Sequence, residues 1–250
     1  MKKKILIILQ ARCSSRRFPG KVLKLINGIP LVVLCYKRLS NMGRKVIVAT
    51  SRHSSDDKLI TVLEKHKIPH YRGDLKNVLL RYQKVAEKMN SQDIIIRATS
   101  DNAAPDGKLV EIIYTHFMLS KKDYLQIDNE LHNLPKGMRL EILSVKKLLS
   151  LKNNLTEEDK EHVTYKIYKS KKSFYKYHFK ILQSKVNLSN LSLSIDTLEE
   201  YLFVKKIFKN FTKPTMVTCK QLLNACLKYN EKNFKISQLV SKSKLRERFE

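Results

Sequence analysis

Three groups of charged residues stand where apolar runs end. In "ILQARCSSRRFPGKVL", residues 8–23, an apolar stretch runs into Arg12, Arg17 and Lys21 around the pair Pro19-Gly20. Pro-Gly enforces a turn, and a loop after a strand offers backbone N–H groups that can hold phosphate oxygens. Three cations beside them suit a triphosphate, arginine through planar bidentate bonds and lysine as a point charge. In "IIIRATSDNAAPD" a second apolar run delivers Asp101 to its tip, where a carboxylate can share a hard cation such as Mg2+ with phosphate. In "LSLSIDTLEE" Asp196 ends a third run just where a helix begins. Each group has a plainer alternative: a basic surface loop for the first, a helix or turn cap for either aspartate. Together, two strand-end carboxylates and a basic phosphate loop point to metal-assisted chemistry on a nucleotide phosphate. The loop is not a Walker loop, since GxxxxGK followed by Ser or Thr is absent, and it is not a dinucleotide fingerprint.

Such groups need a frame that brings them to one edge. "ILIIL", "KVIVATS" and "DIIIRATSD" are short apolar runs bounded by turn signals, the mark of strands covered on both faces. Between and after them "PLVVLCYKRLSNM", "DDKLITVLEKHK", "VLLRYQKVAEKM" and "GKLVEIIYTHFML" carry apolar residues at helical spacing, with Pro30 at the start of the first and acids in the first turn of the second. Strands alternating with helices predict an α/β fold, a mostly parallel sheet flanked by helices, and in an open sheet of that kind ligands sit beyond the carboxyl ends of the strands. Beyond residue 120 the rhythm loosens. "TEEDKEHVTYKIYKS" predicts a helix with a threonine cap, "FYKYHFKIL" and "LSLSID" predict strands, and "TLEEYLFVKKIFKNF" and "CKQLLNACLKYN" predict helices. With no repeat, linker or low-complexity tract, one continuous domain is expected.

The chain has 250 residues, 42% of them apolar, enough for a sizeable core. Its formal net charge of +27 raises the question of a polyanionic partner. The charge is mostly lysine, 38 against 12 arginines, spread from Lys2 to Lys244, and no RNP1-type aromatic motif is present. That distribution predicts a solvated surface with a specific anion using a few residues, and no nucleic-acid partner. Cys13, Cys35, Cys219 and Cys226 form no CxxC pair, which predicts unpaired thiols in a reduced cytoplasm. The opening "MKKKILIILQARC" imitates a secretory signal, but its apolar run stops at Leu9. No stretch approaches the ~18 consecutive apolar residues of a membrane span.

In order along the chain, "QARCSSRRFPGKVL", "INGIPLVVLCYKRL", "VIVATS" with the acidic pair after it, "YRGDLKNVLLRYQKVAEK", "IIRATSD", "DYLQIDN", "PKGMRLEI", "EHVTYKIY" and "LSIDTLEE" resemble a group of cytidylyltransferases named for spore-coat polysaccharide biosynthesis. These are related to the enzymes that activate 3-deoxy-octulosonate and sialic-type acids as CMP-sugars. The similarity spans roughly residues 4–212. It implies a nucleotidyltransferase domain over 1–212 and leaves 213–250 as a C-terminal helical extension packed on it. The resemblance implies a Rossmann-like nucleotide-diphospho-sugar transferase (GT-A-like) fold, CTP as donor, Mg2+ as cofactor, pyrophosphate as product and, as in many relatives, a homodimer. Arg12, Ser15, Arg17 and Lys21 match the triphosphate loop; Ala49, Thr50 and Ser51 match the segment near the base, which backbone groups around Ala11 and Arg72 help select. Arg72, Gly73 and Asp74 match a further active-site loop and Arg97 precedes the metal carboxylate, all four expected to bind the nucleotide, and Asp101 and Asp196 match the metal carboxylates. Arg12, Lys21 and Asp101 are the expected catalytic residues; Arg139, Glu141 and His162 fall on the acceptor side.

The chain departs from the group at three places, one of them the opening loop, where Arg16 and Phe18 replace smaller or more usual residues. Ser100-Asp101-Asn102-Ala103 replaces a Gly-Asp-Cys-Pro type sequence, and Arg139 stands where an acid is usual, which favours a more anionic acceptor. Two rival expectations are a catalytically degenerate nucleotide-binding protein of the same fold and a basic nucleic-acid-binding protein.

Overall fold

Alternate residues of the apolar strands enter two different cores, which is why these strands show no polar face. In β1 (Ile5–Gln10), Ile7 and Leu9 pack into one cluster while Leu6 and Ile8 pack into the other. The computed structural model describes residues 3–127, 133–169 and 187–230. After β1 come a single turn of 3-10 helix at Lys21–Leu23, a two-residue hairpin of β2 (Leu25–Ile26) and β3 (Ile29–Pro30), and α1 (Leu31–Ser40). Next are β4 (Lys45–Ser51), α2 (Asp57–Lys65), β5 (His70–Gly73), α3 (Val78–Ala86), β6 (Ile94–Thr99) and α4 (Gly107–Ser120). The remainder comprises β7 (Tyr124–Gln126), β8 (Glu141–Ser144), α5 (Val145–Leu149), α6 (Glu157–Glu161), α7 (Tyr165–Lys169), α8 (Leu198–Phe208) and a ninth helix, α9, covering 219–230.

The six-stranded sheet has the order β5-β4-β1-β6-β8-β7. β5, β4, β1 and β6 are parallel, as the alternation of strands and helices predicts; β8 runs antiparallel to β6, and β7 antiparallel to β8. One face is covered by α1, α2, α4, α8 and α9, the other by α3, α5 and α7. Leu222 and Cys226 of α9 lie in the same cluster as Ile7 and Leu9, so this helix shares the main core. All four cysteines are free thiols. Among the described residues no helix is long and apolar enough to cross a membrane.

Two expectations are corrected and one lies outside the described residues. The stretch read as one helix from Thr156 is two: Thr156 caps α6 through a reciprocal capping box with Asp159, and the chain then breaks at Val163, whose φ is +48°, before α7 begins. "LSLSID" does not form a regular strand. It makes isolated bridges, Ser192 with Lys136 on one side and Ser194 with Asn102 on the other. The strand expected at "FYKYHFKIL" falls at 174–182, outside the described residues.

Candidate active site

The loop after β1 is built by its own backbone. Cys13 O accepts from both Ser15 N and Gly20 N at 2.9 Å, which folds the basic segment back on itself. Gly20 sits at φ +68°, a left-handed conformation that costs glycine little, and the chain turns there into the 3-10 turn headed by Lys21. Lys21 consequently points inward, its side chain only 8% exposed. Its Nζ donates to Asp101 Oδ2 at 2.9 Å and to Asp196 Oδ1 at 2.7 Å, while Arg17 Nη2 reaches Asp196 Oδ2 at 2.8 Å.

Backbone pairing brings the two acids together. The 192–195 segment runs alongside 101–103: Ile195 N donates to Asp101 O at 2.9 Å and Ala103 N to Leu193 O at 3.2 Å. Neither aspartate is a helix cap. Thr197 caps α8 in a capping box with Glu200, and Asp106 caps α4 by accepting from Leu109 N. Those two residues take the role that was the plainer alternative for Asp196 and Asp101, and so leave both carboxylates free to face Lys21. Burial pushes the Asp196 carboxyl up, but the hydrogen bonds and charges of Lys21 and Arg17 outweigh it and hold its pKa below the ordinary value.

A cavity of about 450 Å³ opens at the carboxyl ends of β1 and β6. Arg12, Ser15, Arg17 and Lys21 line it from the opening loop, Arg97 and Asp101 from β6 and the turn after it, and His162 and Asp196 from the later segments. The other selected residues lie beside it. Ala11 continues β1 by donating to Ala49 O at 3.1 Å, and Ala49, Thr50 and Ser51 are buried at the end of β4. Gly73 and Asp74 line a second cavity of about 540 Å³ at the end of β5, while Arg72 is held by Ser51 O at 3.0 Å and Asp57 Oδ1 at 2.6 Å. Glu141 is buried beneath the site, its side chain 2% exposed, accepting from Arg97 at 2.7 Å and from Thr164 Oγ1 and forming an ion pair with Arg139 at 3.2 Å. Arg139 also donates to Gln126. Neither Glu141 nor Arg139 lines the 450 Å³ cavity.

With this geometry in view, comparison with known proteins decides the family. The description "cytidylyltransferase" belongs to the family model that matches residues 6–242. The chain belongs to the cytidylyltransferase family. It is 29% identical over 231 residues to the spore coat polysaccharide biosynthesis protein SpsF of Bacillus subtilis (strain 168), covering 88% of this chain and 92% of that protein. Its fold is similar to that of a cytidylyltransferase from Leptospira borgpetersenii serovar Hardjo-bovis (strain JB197), with a TM-score of 0.81, 23% identity, and 92% and 96% of the two chains covered. It also resembles a CMP:2-keto-3-deoxy-manno-octonic acid synthetase complexed with CTP, with a TM-score of 0.59, 15% identity, and 83% and 99% covered. The Rossmann-like nucleotidyltransferase fold expected from the sequence is the fold of this cytidylyltransferase.

Three further residues of the candidate site carry no distinctive signal in the sequence. Asp56 is fully buried; it accepts from Cys13 N at 2.7 Å, Thr50 Oγ1 at 3.1 Å, Ser51 N at 3.2 Å and the Ser51 hydroxyl, which ties the basic loop to the end of β4. Its only sequence signal was its place in the acidic pair after "VIVATS", where it resembles an ordinary first-turn acid. Glu161 lines the cavity and pairs with Arg12 at 2.8 Å. Arg81 is fully buried with its Nε and one terminal nitrogen unpartnered, beneath the strand end that carries Gly73. Cys13, though close to the loop, is no nucleophile near neutral pH, because burial, with Asp56 adding to it, pushes its thiol up to about 11.

Gly137 couples the distant parts of this site. At φ +88° its Cβ position lies 2.2 Å from Ser194 N, and Lys136 bonds Leu191 and Leu193 on either side. Gly137→Ala is expected to lower stability by about 2 kcal/mol and to displace the segment leading to Asp196. Nucleotidyl transfer should fall by roughly 10- to 100-fold with it. Urea denaturation and a rate assay on the same preparation check both effects, and an unchanged rate would mean that the 192–195 segment does not set the position of Asp196.

Proposed function

We propose that this cytidylyltransferase transfers CMP from CTP to a hydroxyl group of a small acidic sugar, with Mg2+ as its metal ion. The observation that carries the reading is the meeting of Asp101 and Asp196 at Lys21 Nζ, inside a cavity lined by the arginines of the first loop. Two carboxylates are a suitable protein share for Mg2+, which takes its remaining positions from phosphate oxygens and water. Among the described residues no cluster of three or more acidic, histidine or cysteine side chains offers a fuller cage. When bound, the ion would polarise the α-phosphate and lower the pKa of the attacking hydroxyl.

The chain's own residues supply alignment and charge. The acceptor oxygen forms its bond to the α-phosphorus as the bond from that phosphorus to the bridging oxygen breaks. The electron pair leaves with pyrophosphate, and the hydroxyl proton passes to solvent. Arg12, Arg17 and Lys21 hold the β and γ phosphates and stabilise the leaving charge, with Ser15 in the same loop. Asp56 keeps that loop against Ala49, Thr50 and Ser51, and the base lies toward Ala11, Arg72, Gly73 and Asp74. Arg97 is fixed by Glu141, and His162 and Arg139 stand on the acceptor side. The relatives support a sugar acceptor: one is named for polysaccharide biosynthesis and another for CMP-activation of 2-keto-3-deoxy-manno-octonic acid. Free thiols suit a cytoplasmic reaction.

The test is pyrophosphate release by purified protein with Mg2+, each of CTP, UTP, ATP and GTP, and a panel of acidic sugars. CTP should support release with at least one acidic sugar and exceed the other nucleotides. CTP binding by calorimetry without release from any acceptor would instead identify a degenerate nucleotide-binding protein.

A further inference from the structure

Lys21 stands where a divalent ion would sit. Its ammonium carries three N–H donors, and two of them are spent on Asp101 at 2.9 Å and Asp196 at 2.7 Å. Arg17 takes the second oxygen of Asp196 at 2.8 Å. A hard divalent ion held between the two acids draws on carboxylate oxygens of both, so ammonium and metal compete for one place. The competition is uneven in the nucleotide-free protein, since a buried side chain already in position loses little freedom by staying while a metal must shed water to enter.

We infer that Lys21 closes the metal site until the triphosphate arrives, so that the divalent ion enters with the nucleotide and not ahead of it. This rests on the reading of Asp101 and Asp196 as the metal carboxylates. Lys21 and Arg17 both belong to the loop after β1, the loop assigned to the phosphates. A triphosphate offers these cations oxygens in exchange for the carboxylates. As they turn to it, two adjacent aspartates lose their neutralising charge, and like charges at such range cannot both stay ionised cheaply. The ion carried by the triphosphate replaces what Lys21 gave up. When pyrophosphate leaves, Lys21 returns and the site closes, which keeps a bare metal from standing exposed to solvent between turnovers. Lys21 is thus a phosphate ligand in one state and the internal counter-ion of the metal carboxylates in the other.

Mn2+, visible by electron paramagnetic resonance, serves as the probe. The free-ion signal is titrated with nucleotide-free wild type, Lys21→Met and Arg17→Gln. Lys21→Met is expected to bind Mn2+ roughly 10- to 100-fold more tightly than wild type, the worth of one charge-assisted hydrogen bond. Arg17→Gln, at a side chain 68% exposed in the native protein, should bind about 2- to 5-fold more tightly than wild type. Adding α,β-methylene-CTP to wild type should bring Mn2+ onto the protein, seen as enhanced water-proton relaxation that Asp101→Asn removes. Equal Mn2+ affinity of nucleotide-free wild type and both variants overturns the inference, as does tight binding to wild type before nucleotide is added. Failure of wild type to release pyrophosphate from CTP is a separate result and removes the functional reading instead.

Discussion

Asp101→Asn is expected to lower CTP-dependent pyrophosphate release by ~10²-fold or more and to leave the thermal midpoint close to that of wild type. The two effects separate because the structural duties around Asp101 are carried by its backbone and its neighbours. Its carbonyl receives Ile195 N, Asn102 N bonds Thr99 O, and the cap of α4 is Asp106. Asparagine keeps the size of the side chain and one carbonyl oxygen able to accept from Lys21 Nζ, but it removes half of the negative charge that the paired acids offer a divalent ion. The loss therefore falls on the charge offered to the divalent ion, while the backbone bonds around residue 101 stay in place. Near-normal release by a well-folded Asp101→Asn protein would remove Asp101 from the chemistry and, with it, the two-carboxylate account of the site.

The first 120 residues were legible because their signals are local. "ILIIL", "KVIVATS" and "DIIIRATSD" announce buried strands by composition alone, and β1, β4 and β6 lie within a residue or two of those runs. The antiparallel β7 and β8 carry no such signal: at three and four residues they are too short to show a period, and their pairing depends on chain far away in sequence. The site divides in the same manner. Lys21, Asp101 and Asp196 could be selected because each stands at the end of an apolar run next to turn or cap chemistry. What the sequence left open was whether the aspartates capped helices. That depended on Thr197 and Asp106, which satisfy α8 and α4 and leave the acids unclaimed. Asp56 went unselected for the opposite reason, since its place before α2 suggests helix-dipole compensation and its partners Cys13 and Thr50 come from two other segments.

Glu141→Gln is the substitution expected to cost most in stability, about 3 kcal/mol, or a thermal midpoint lower by roughly 6–12 °C for a chain of this size. Glu141 is enclosed, accepts from Arg97 at 2.7 Å and is ion-paired with Arg139 at 3.2 Å, with Thr164 donating to its other oxygen. Burial works against its charge, but Arg97 and Arg139 outweigh burial and hold its pKa below the ordinary value. Glutamine preserves the shape and one acceptor oxygen, yet it leaves Arg97, nearly buried, facing an uncharged partner. Because folded Glu141 gives up its proton more readily than the unfolded chain, its stabilisation is present above the ordinary glutamate value of ~4.3 and is lost as pH falls through the lower folded value. The gap between wild type and Glu141→Gln should thus be wide at pH 7 and narrow steadily below pH ~4. Denaturant unfolding of both proteins across that range measures it. Since Arg97 reaches into the cavity from the other side of this bond, the acceptor KM should rise more than the CTP KM in the same variant. Equal shifts in both would show that Glu141 supports the fold without setting the acceptor side.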